Sequence, residues 1–186
     1  MPKINPVDPK TATGATAEAY AEAKAQFGGV INLFQVAGAA PNVLKGILAL
    51  NKELNTGGEL TARQTELVAM LVSALNRCDY CVNVHMQVGK GAGVSEADML
   101  LALEAKAADA SEQALLAYTD ALVRGRGLVS DAVYNAARSA GFSEKALLEV
   151  IGVVGLYTTL QYIRHVGDPE QDFPVVTAFD ADKHGA

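Results

Sequence analysis

The stretch that decides the fold is ELVAMLVSALNRCDYCVNVH, residues 66–85. Its first ten residues are apolar nearly all round, so almost no polar face remains to meet water. A segment of this kind normally forms the central helix of a helical domain. Thr61 and Gln64 stand just before it with the spacing of a capping box, which predicts that the central helix begins there.

Helical patterns continue on both sides of this stretch. Val and Ile fall inside helical windows rather than in strict alternation, and Ala, Leu and Val must supply most of the core. We therefore predict an all-α fold, a compact domain of many helices. Ser95, Ser111, Ser130 and Ser143 are the predicted caps of the later helices. The predicted helices cover about residues 17–27, 32 onward, 41–54, 61–75, a segment around 81–86, then 95–103, 112–124, 131–140 and 144–165.

The 186 residues fit one compact domain with flexible ends. Prolines oppose helix formation in residues 1–15, which we predict to be an N-terminal arm. Residues 16–174 form the predicted helical domain, and residues 175–186 a polar C-terminal tail. The arm lacks the apolar core of a secretory signal, and we expect a cytoplasmic protein without a membrane-spanning segment.

The charge balance excludes one class of partner. Fifteen basic and 21 acidic side chains give a formal net charge of −6, with no Lys or Arg cluster to neutralise a row of phosphates. We therefore predict no nucleic-acid binding.

The candidate chemistry lies in Cys78 and Cys81, the two cysteines of the chain, and in His85. On a helix, positions three or four apart share a face, so these three side chains can meet. Only a thiolate attacks a peroxide or a disulfide, and a nearby base such as His85 can generate it near neutral pH. If Asn76 or Asp79 caps the helix, Cys81 falls near its first turn, where the helix dipole stabilises negative charge.

Glu66 is a further candidate, provided that the chain bends. In one straight helix Glu66 and Cys81 would be about 22 Å apart. If the chain turns near Asn76 and Arg77, the second helix folds back and brings Glu66 toward His85. We predict that turn, after which the carboxylate would orient the imidazole and hold its charged form.

Structural alternatives exist for these residues. Two buried, inert cysteines are one, and a zinc site built on the cysteines and His85 is another, although no fourth ligand is evident nearby. Glu66 could simply complement a helix N-terminus. His165 closes a predicted helix and His184 lies in the tail, where we expect it to be solvated.

The spacing of Glu66, Cys78, Cys81 and His85 resembles that of the alkylhydroperoxidase D (AhpD) family, within the carboxymuconolactone decarboxylase superfamily. The sequence of residues 66–85 is similar to that of the family throughout. The flanking stretches INLFQVAGAAPNVLKGILALNKEL and QYIRHVGDPEQDFP also look related, so the resemblance covers about residues 31–174.

This resemblance implies a helical protein that assembles into homo-oligomers, often trimers or hexamers, and a peroxidase cycle without haem or flavin. We expect no cofactor and no metal. By position, Cys81 would attack the peroxide and Cys78 would resolve the sulfenic acid, while Glu66 and His85 would relay protons. The reductant would be a dithiol, such as a lipoyl-bearing or thioredoxin-like protein. The best-known members have a further His between the cysteines where this chain has Tyr80, so we expect a shorter relay here.

Two other functions stay open at this point. The superfamily includes decarboxylases and related small-molecule enzymes, although the classical decarboxylases do not rely on two thiols. Alternatively, the dithiol could sense oxidants without turning them over.

Overall fold

The computed structural model describes residues 3–184; Met1, Pro2, Gly185 and Ala186 of the predicted arm and tail lie outside them. Over residues 3–184 the chain is all-helical, without a β-strand, which confirms the predicted fold class. The helices of this part of the chain are α1 (Gly14–Phe27), α2 (Asn32–Ala37), α3 (Pro41–Thr56), α4 (Ala62–Leu75), α5 (Asp79–Gly91), α6 (Glu96–Leu103), α7 (Ala110–Arg124), α8 (Asp131–Ser139) and α9 (Glu144–Gly167).

Helix α4 is the centre of the fold. It packs against α5, α6, α7 and α9, and every residue in 65–75 is buried. Its N-terminus carries the predicted capping box: the Thr61 hydroxyl accepts the Gln64 N–H, and the Gln64 side chain accepts the Thr61 N–H. The apolar run therefore forms the core helix because its neighbours cover it on all sides.

One predicted cap is wrong. The Asp109 side chain, not Ser111, accepts an N–H at the start of α7, from Glu112. The helix begins earlier than predicted, so Ser111 already lies inside it and donates its hydroxyl to the carbonyl of Ala140. The caps at Ser95, Ser130 and Ser143 are confirmed.

The chain reverses between α4 and α5, as predicted. Arg77 adopts a left-handed conformation with φ of 56°. Its N–H donates to the carbonyl of Ala74, and the N–H of Cys78 donates to the carbonyl of Ser73 at 2.9 Å. This is the Schellman pattern of helix termination, here formed without a glycine. The reversal lays α5 back against α4.

Helix α9 stabilises this reversal through hydrogen bonds to the C-terminal end of α4. Gln161 is fully buried, donates to the Ser73 hydroxyl at 3.1 Å and accepts from the Asn76 amide at 2.6 Å. By length and composition α9 could also cross a membrane, and it is the one such helix in residues 3–184. The core helix of a soluble protein meets the same criteria.

The segments outside the helices pack on the bundle. Val7 donates its N–H to the carbonyl of Gln35 at 2.9 Å, while Val176 and Phe179 pack against the core around α4. We expected His184 to be solvated, and this prediction is wrong. One of its ring nitrogens lies 2.8 Å from the carboxylate of Glu104. The division into arm, domain and tail stays a prediction.

The left-handed residue leads to a stability prediction. We expect Arg77→Val to be less stable than Arg77→Asn by about 1–2 kcal/mol, because a β-branched residue opposes this conformation and asparagine tolerates it. Both variants lose the same guanidinium contacts to Ala181 and Asp182, so their difference isolates the backbone. Urea unfolding measures it, and equal free energies of unfolding would contradict the prediction.

Candidate functional site

Cys78 and Cys81 lie where α5 begins. Neither Asn76 nor Asp79 caps this helix: Cys78 is the N-cap, and its sulfur accepts the N–H of Cys81 at 3.3 Å. Asn76 instead ends α4, and Asp79 is already helical. Cys81 falls in the first turn of α5, as expected, where unpaired amide groups and the helix dipole favour a thiolate.

The two sulfur atoms are joined in a disulfide, with the Cα atoms 5.3 Å apart. Cys78 is fully buried, whereas Cys81 is 5% exposed and lines a cavity of about 470 Å³. The two cysteines therefore differ in access, and a molecule in the cavity meets Cys81.

The cavity is mainly apolar and has a polar end. Apolar side chains from α1, α2, α5, α9 and the segment after α9 form most of its wall, among them Phe27, Leu33, Phe34, Val84, Leu160 and Phe173. Gln26, Asn51, Lys52, Asn55 and Thr56 of α1 and α3 supply polar groups. Such a volume and lining suit a small organic molecule.

His85 and Glu66 form a buried pair beside Cys81. The imidazole Nδ1 lies 2.9 Å from a carboxylate oxygen of Glu66, and both residues line the cavity. This contact exists because the chain reverses before α5, as predicted from the length argument. Glu66 is only 7% exposed, so its carboxylate requires a polar partner, and His85 is that partner.

The second ring nitrogen of His85 is available for chemistry. Nε2 of His85 has no hydrogen-bond partner within residues 3–184. In that part of the chain, the one side-chain nitrogen or oxygen that is both buried and without a partner is Arg164 Nε. His85 Nε2 is therefore not fully buried. His85 lies one helical turn after Cys81 on α5. The arrangement therefore places an imidazole, oriented by a carboxylate, on the face of α5 that carries the accessible cysteine.

Tyr80 serves as a structural connection. Its hydroxyl donates to the carboxylate of Asp172 and accepts the N–H of Leu33 at 3.2 Å. Burial is the main cause that raises the pKa of Tyr80, followed by Asp172, so the phenol stays neutral. Its hydrogen bonds join α5 to α2 and to the segment after α9.

The charges flanking the cysteines in sequence have other partners. Arg77 donates to the carbonyl of Ala181 and to Asp182, and Asp79 pairs with Arg164 at 2.8 Å. Within residues 3–184, no three His, Cys, Asp or Glu side chains are grouped to hold a metal ion.

Tyr157 of α9 is a member of the site that the sequence analysis missed. Its ring meets the imidazole of His85 edge to face, with centroids 4.6 Å apart, and it lines the cavity. Burial first, then the charge of Glu66, raises the pKa of Tyr157 well above 10. No local spacing could have revealed it, because the tertiary packing of α9 on α4 brings it there.

Comparison with known proteins now adds to this geometry. The carboxymuconolactone decarboxylase family model matches residues 41–124, which contain all four predicted site residues. An alkyl hydroperoxide reductase of Mycobacterium tuberculosis is 35% identical over 93 residues. That match covers 50% of this chain and 27% of the relative, so it spans about a quarter of the relative's length.

Solved structures share the architecture. A peroxidase-related protein with an alkylhydroperoxidase AhpD core, from Ralstonia eutropha JMP134, superimposes with a TM-score of 0.81 at 17% identity, over 92% of each chain. The debrominase Bmp8, as a cysteine-to-alanine variant in complex with 2,3,4-tribromopyrrole, gives a TM-score of 0.76 at 16% identity, over 94% of this chain and 92% of that one. These likenesses show the fold. Residues 41–124 are thus similar to the carboxymuconolactone decarboxylase family, and the chain as a whole has the fold of proteins with an AhpD core.

Proposed function

We propose that the protein is a thiol-dependent peroxidase that reduces organic hydroperoxides through a cycle of Cys78 and Cys81. One observation carries the proposal: Cys81 faces an apolar cavity beside a Glu66-paired imidazole, while Cys78 lies sealed behind it. An accessible attacking thiol with a protected neighbour is what a two-cysteine cycle requires. The alkyl hydroperoxide reductase relative supports the same reaction class.

The cycle begins at the Cys81 thiol. His85 takes the proton of the Cys81 thiol, and the thiolate attacks the terminal oxygen of ROOH. The O–O bond breaks, leaving a sulfenic acid on Cys81, and the alkoxide takes a proton to become ROH. The Cys78 thiol then attacks the sulfenic sulfur, forming the disulfide and releasing water. A dithiol reductant exchanges with the disulfide and returns both thiols.

Glu66 and His85 act together as the proton relay. The carboxylate holds the Nδ1 proton at 2.9 Å, which directs Nε2 toward the cavity as the base. Its negative charge also stabilises the imidazolium that forms when the thiol loses its proton. Without this pair, a thiol of ordinary pKa near 8.5 would be mostly protonated at pH 7.

The reductant must reach a recessed disulfide. Since Cys78 is fully buried, the incoming thiolate attacks Cys81 through the cavity. A dithiol on a flexible arm, such as a lipoyl group, fits this route better than the broad surface of a thioredoxin-like protein, which is the second candidate. Such dithiol donors operate in a reducing compartment, so we place the protein in the cytoplasm.

A second candidate reaction has a specific observation in its favour. Bmp8 is a debrominase with a known tribromopyrrole complex, and the cavity of the present chain carries the aromatic residues Phe27, Phe34, Tyr157 and Phe173. The same dithiol could reduce a bromoarene to the arene and bromide while forming the disulfide. Release of bromide from 2,3,4-tribromopyrrole, measured beside peroxide loss, distinguishes the two oxidants.

Helix α9 also supports the homo-oligomer, trimer or hexamer, implied by the family. Leu148, Ile151, Tyr162 and Val166 are exposed on one helical face, with the small Gly155 near its middle. This uncharged stripe runs along a chain with a net charge of −6, so two copies can meet there without like-charge repulsion. A second copy of this chain is its occupant, and a two-fold contact would join two trimers into a hexamer.

The first prediction from the proposed function concerns turnover. With cumene hydroperoxide and dihydrolipoamide, we expect the wild type to consume peroxide continuously, and Cys81→Ser to lose this activity because the attacking sulfur is absent. Cys78→Ser should form the sulfenic acid but no internal disulfide. Peroxide consumption and free-thiol counts measure both.

Other outcomes would contradict the peroxidase. One stoichiometric oxidation without turnover would indicate a sensor. Thiols indifferent to peroxide would leave the decarboxylase, debrominase or structural roles. Thioredoxin with its reductase replaces dihydrolipoamide in a parallel assay, and faster turnover there would reverse the proposed order of reductants.

The second prediction concerns the relay. In a Cys78→Ser background, where Cys81 is the remaining thiol, Glu66→Gln should move the pH midpoint of iodoacetamide alkylation upward by about 1 pH unit. The change keeps the side-chain shape but removes the charge that stabilises the imidazolium. Glu53→Gln, at an exposed position of α3, is the matched control. Superimposable alkylation curves for Glu66→Gln and its parent would remove Glu66 from the relay.

The third prediction concerns assembly. Leu148→Glu combined with Tyr162→Glu should at least halve the mass in sedimentation, because charges enter both ends of the α9 stripe. Leu128→Glu, at an exposed position outside the stripe, should leave the mass unchanged. A monomeric wild type, or an unchanged mass in the double variant, would refute this contact.

A further inference from the structure

Tyr157 is held beside the candidate relay with its hydroxyl uncommitted. The edge-to-face contact with His85 fixes its ring, and the residue shares the cavity with Cys81 and Glu66. Two other tyrosines behave differently: Tyr20 donates to the carbonyl of Val7, and Tyr80 donates to Asp172.

Tyr157 lines the cavity, and its hydroxyl is not sealed in the core. The hydroxyl makes no hydrogen bond within residues 3–184, so if it were fully buried it would be a buried polar atom without a partner. The single atom of that kind among those residues is Arg164 Nε. The hydroxyl is therefore accessible, and it belongs to a half-buried side chain that lines the cavity.

Few other donors can serve an oxygen atom bound at Cys81. The amides at the polar end are committed, since Gln26 donates to the carbonyl of Leu48, Asn51 to Gln26, and Asn55 to Asn51. These groups belong to α1 and α3, while the cysteine lies on α5. Lys52 of α3 also lines the cavity, and its ammonium makes no hydrogen bond or ion pair within residues 3–184. His85 shares α5 with the cysteine and Tyr157 contacts His85, so these two are the donors that accompany the thiol.

The phenol is also a donor at every working pH. Burial, and then the charge of Glu66, hold the pKa of Tyr157 well above 10, so the group stays protonated wherever the enzyme would operate. Its contribution does not depend on a proton that it must first gain or lose.

We infer that Tyr157 is a further catalytic residue, which donates a hydrogen bond to the oxygen that leaves when Cys81 attacks a hydroperoxide. This inference rests on the proposed peroxidase. As the S–O bond forms and the O–O bond breaks, the electron pair of the broken bond moves to the alkoxide oxygen. Tyr157 stabilises that charge and keeps its own proton, while the imidazolium of His85 supplies the proton that completes ROH.

The test is a single-turnover comparison of Tyr157→Phe with the wild type. Reduced protein is mixed with cumene hydroperoxide at several concentrations, and oxidation of Cys81 is followed. We expect the maximal rate to fall by about 10- to 100-fold, because a hydrogen bond to a developing charge is lost. The half-saturating concentration should change by less than about threefold, since the bond strengthens mainly in the transition state.

Two controls separate catalysis from structure. The phenylalanine keeps the ring contact with His85, so the pH profile of iodoacetamide alkylation, which breaks no O–O bond, should not change. Tyr118→Phe removes a hydroxyl from a buried tyrosine of α7 outside the cavity and should leave the peroxide rate unaltered.

Each result decides the inference. An unchanged peroxide rate in Tyr157→Phe overturns it while the peroxidase stands. A parallel loss of alkylation overturns it as well, because Tyr157 would then act through His85 as a positioning residue. A wild type that does not react with cumene hydroperoxide removes both the proposed function and the inference.

Discussion

The reversal of the chain at Arg77 is the constraint on which the rest of this structure depends. A single left-handed residue ends α4 and starts α5 within three positions, so two helices that are neighbours in sequence become neighbours in space. The reversal turns a separation of fifteen residues between Glu66 and Cys81 into shared walls of one cavity. Gln161 of α9 then stabilises the turn through hydrogen bonds with the Asn76 amide and the Ser73 hydroxyl.

A buried carboxylate and imidazole follow from that geometry. Isolated, either group would be costly to remove from water, and together they satisfy one another at a depth where the local dielectric strengthens their contact. The apolar helix α4 supplies the surroundings, because it is covered on every side by α5, α6, α7 and α9. The same burial that stabilises the core therefore strengthens the electrostatic attraction between Glu66 and His85.

Local signals in the sequence predicted much of this. The capping box at Thr61 and Gln64 predicted the start of α4, and the length of a straight helix required a turn near Asn76 and Arg77. Helical spacing grouped Cys78, Cys81 and His85, and the predicted turn brought Glu66 toward His85, where the two side chains are in contact. The cysteine N-cap was not predicted, because sulfur is a weak acceptor and the usual capping residues stood on either side.

What the sequence could not predict depends on packing between distant segments. Tyr157 and Phe173 come from α9 and from the residues after it, far along the chain from α5. The early start of α7 has a similar cause. Asp109 and Ser111 are both good capping residues, and the hydrogen bond from Ser111 to the carbonyl of Ala140 favours Asp109 as the cap. Neither result has a signature in residue order alone.

The sealed position of Cys78 has a kinetic consequence. On the proposed cycle, a sulfenic acid at Cys81 is exposed to two competing reactions, further oxidation by a second peroxide and condensation with Cys78. The second peroxide must diffuse in, whereas Cys78 is attached three residues away and can reach very high effective concentration. Because Cys78 itself cannot meet a diffusing oxidant, its thiol is preserved for that one reaction. In the proposed cycle, the order in which the two sulfur atoms are reached would therefore protect the protein from irreversible over-oxidation.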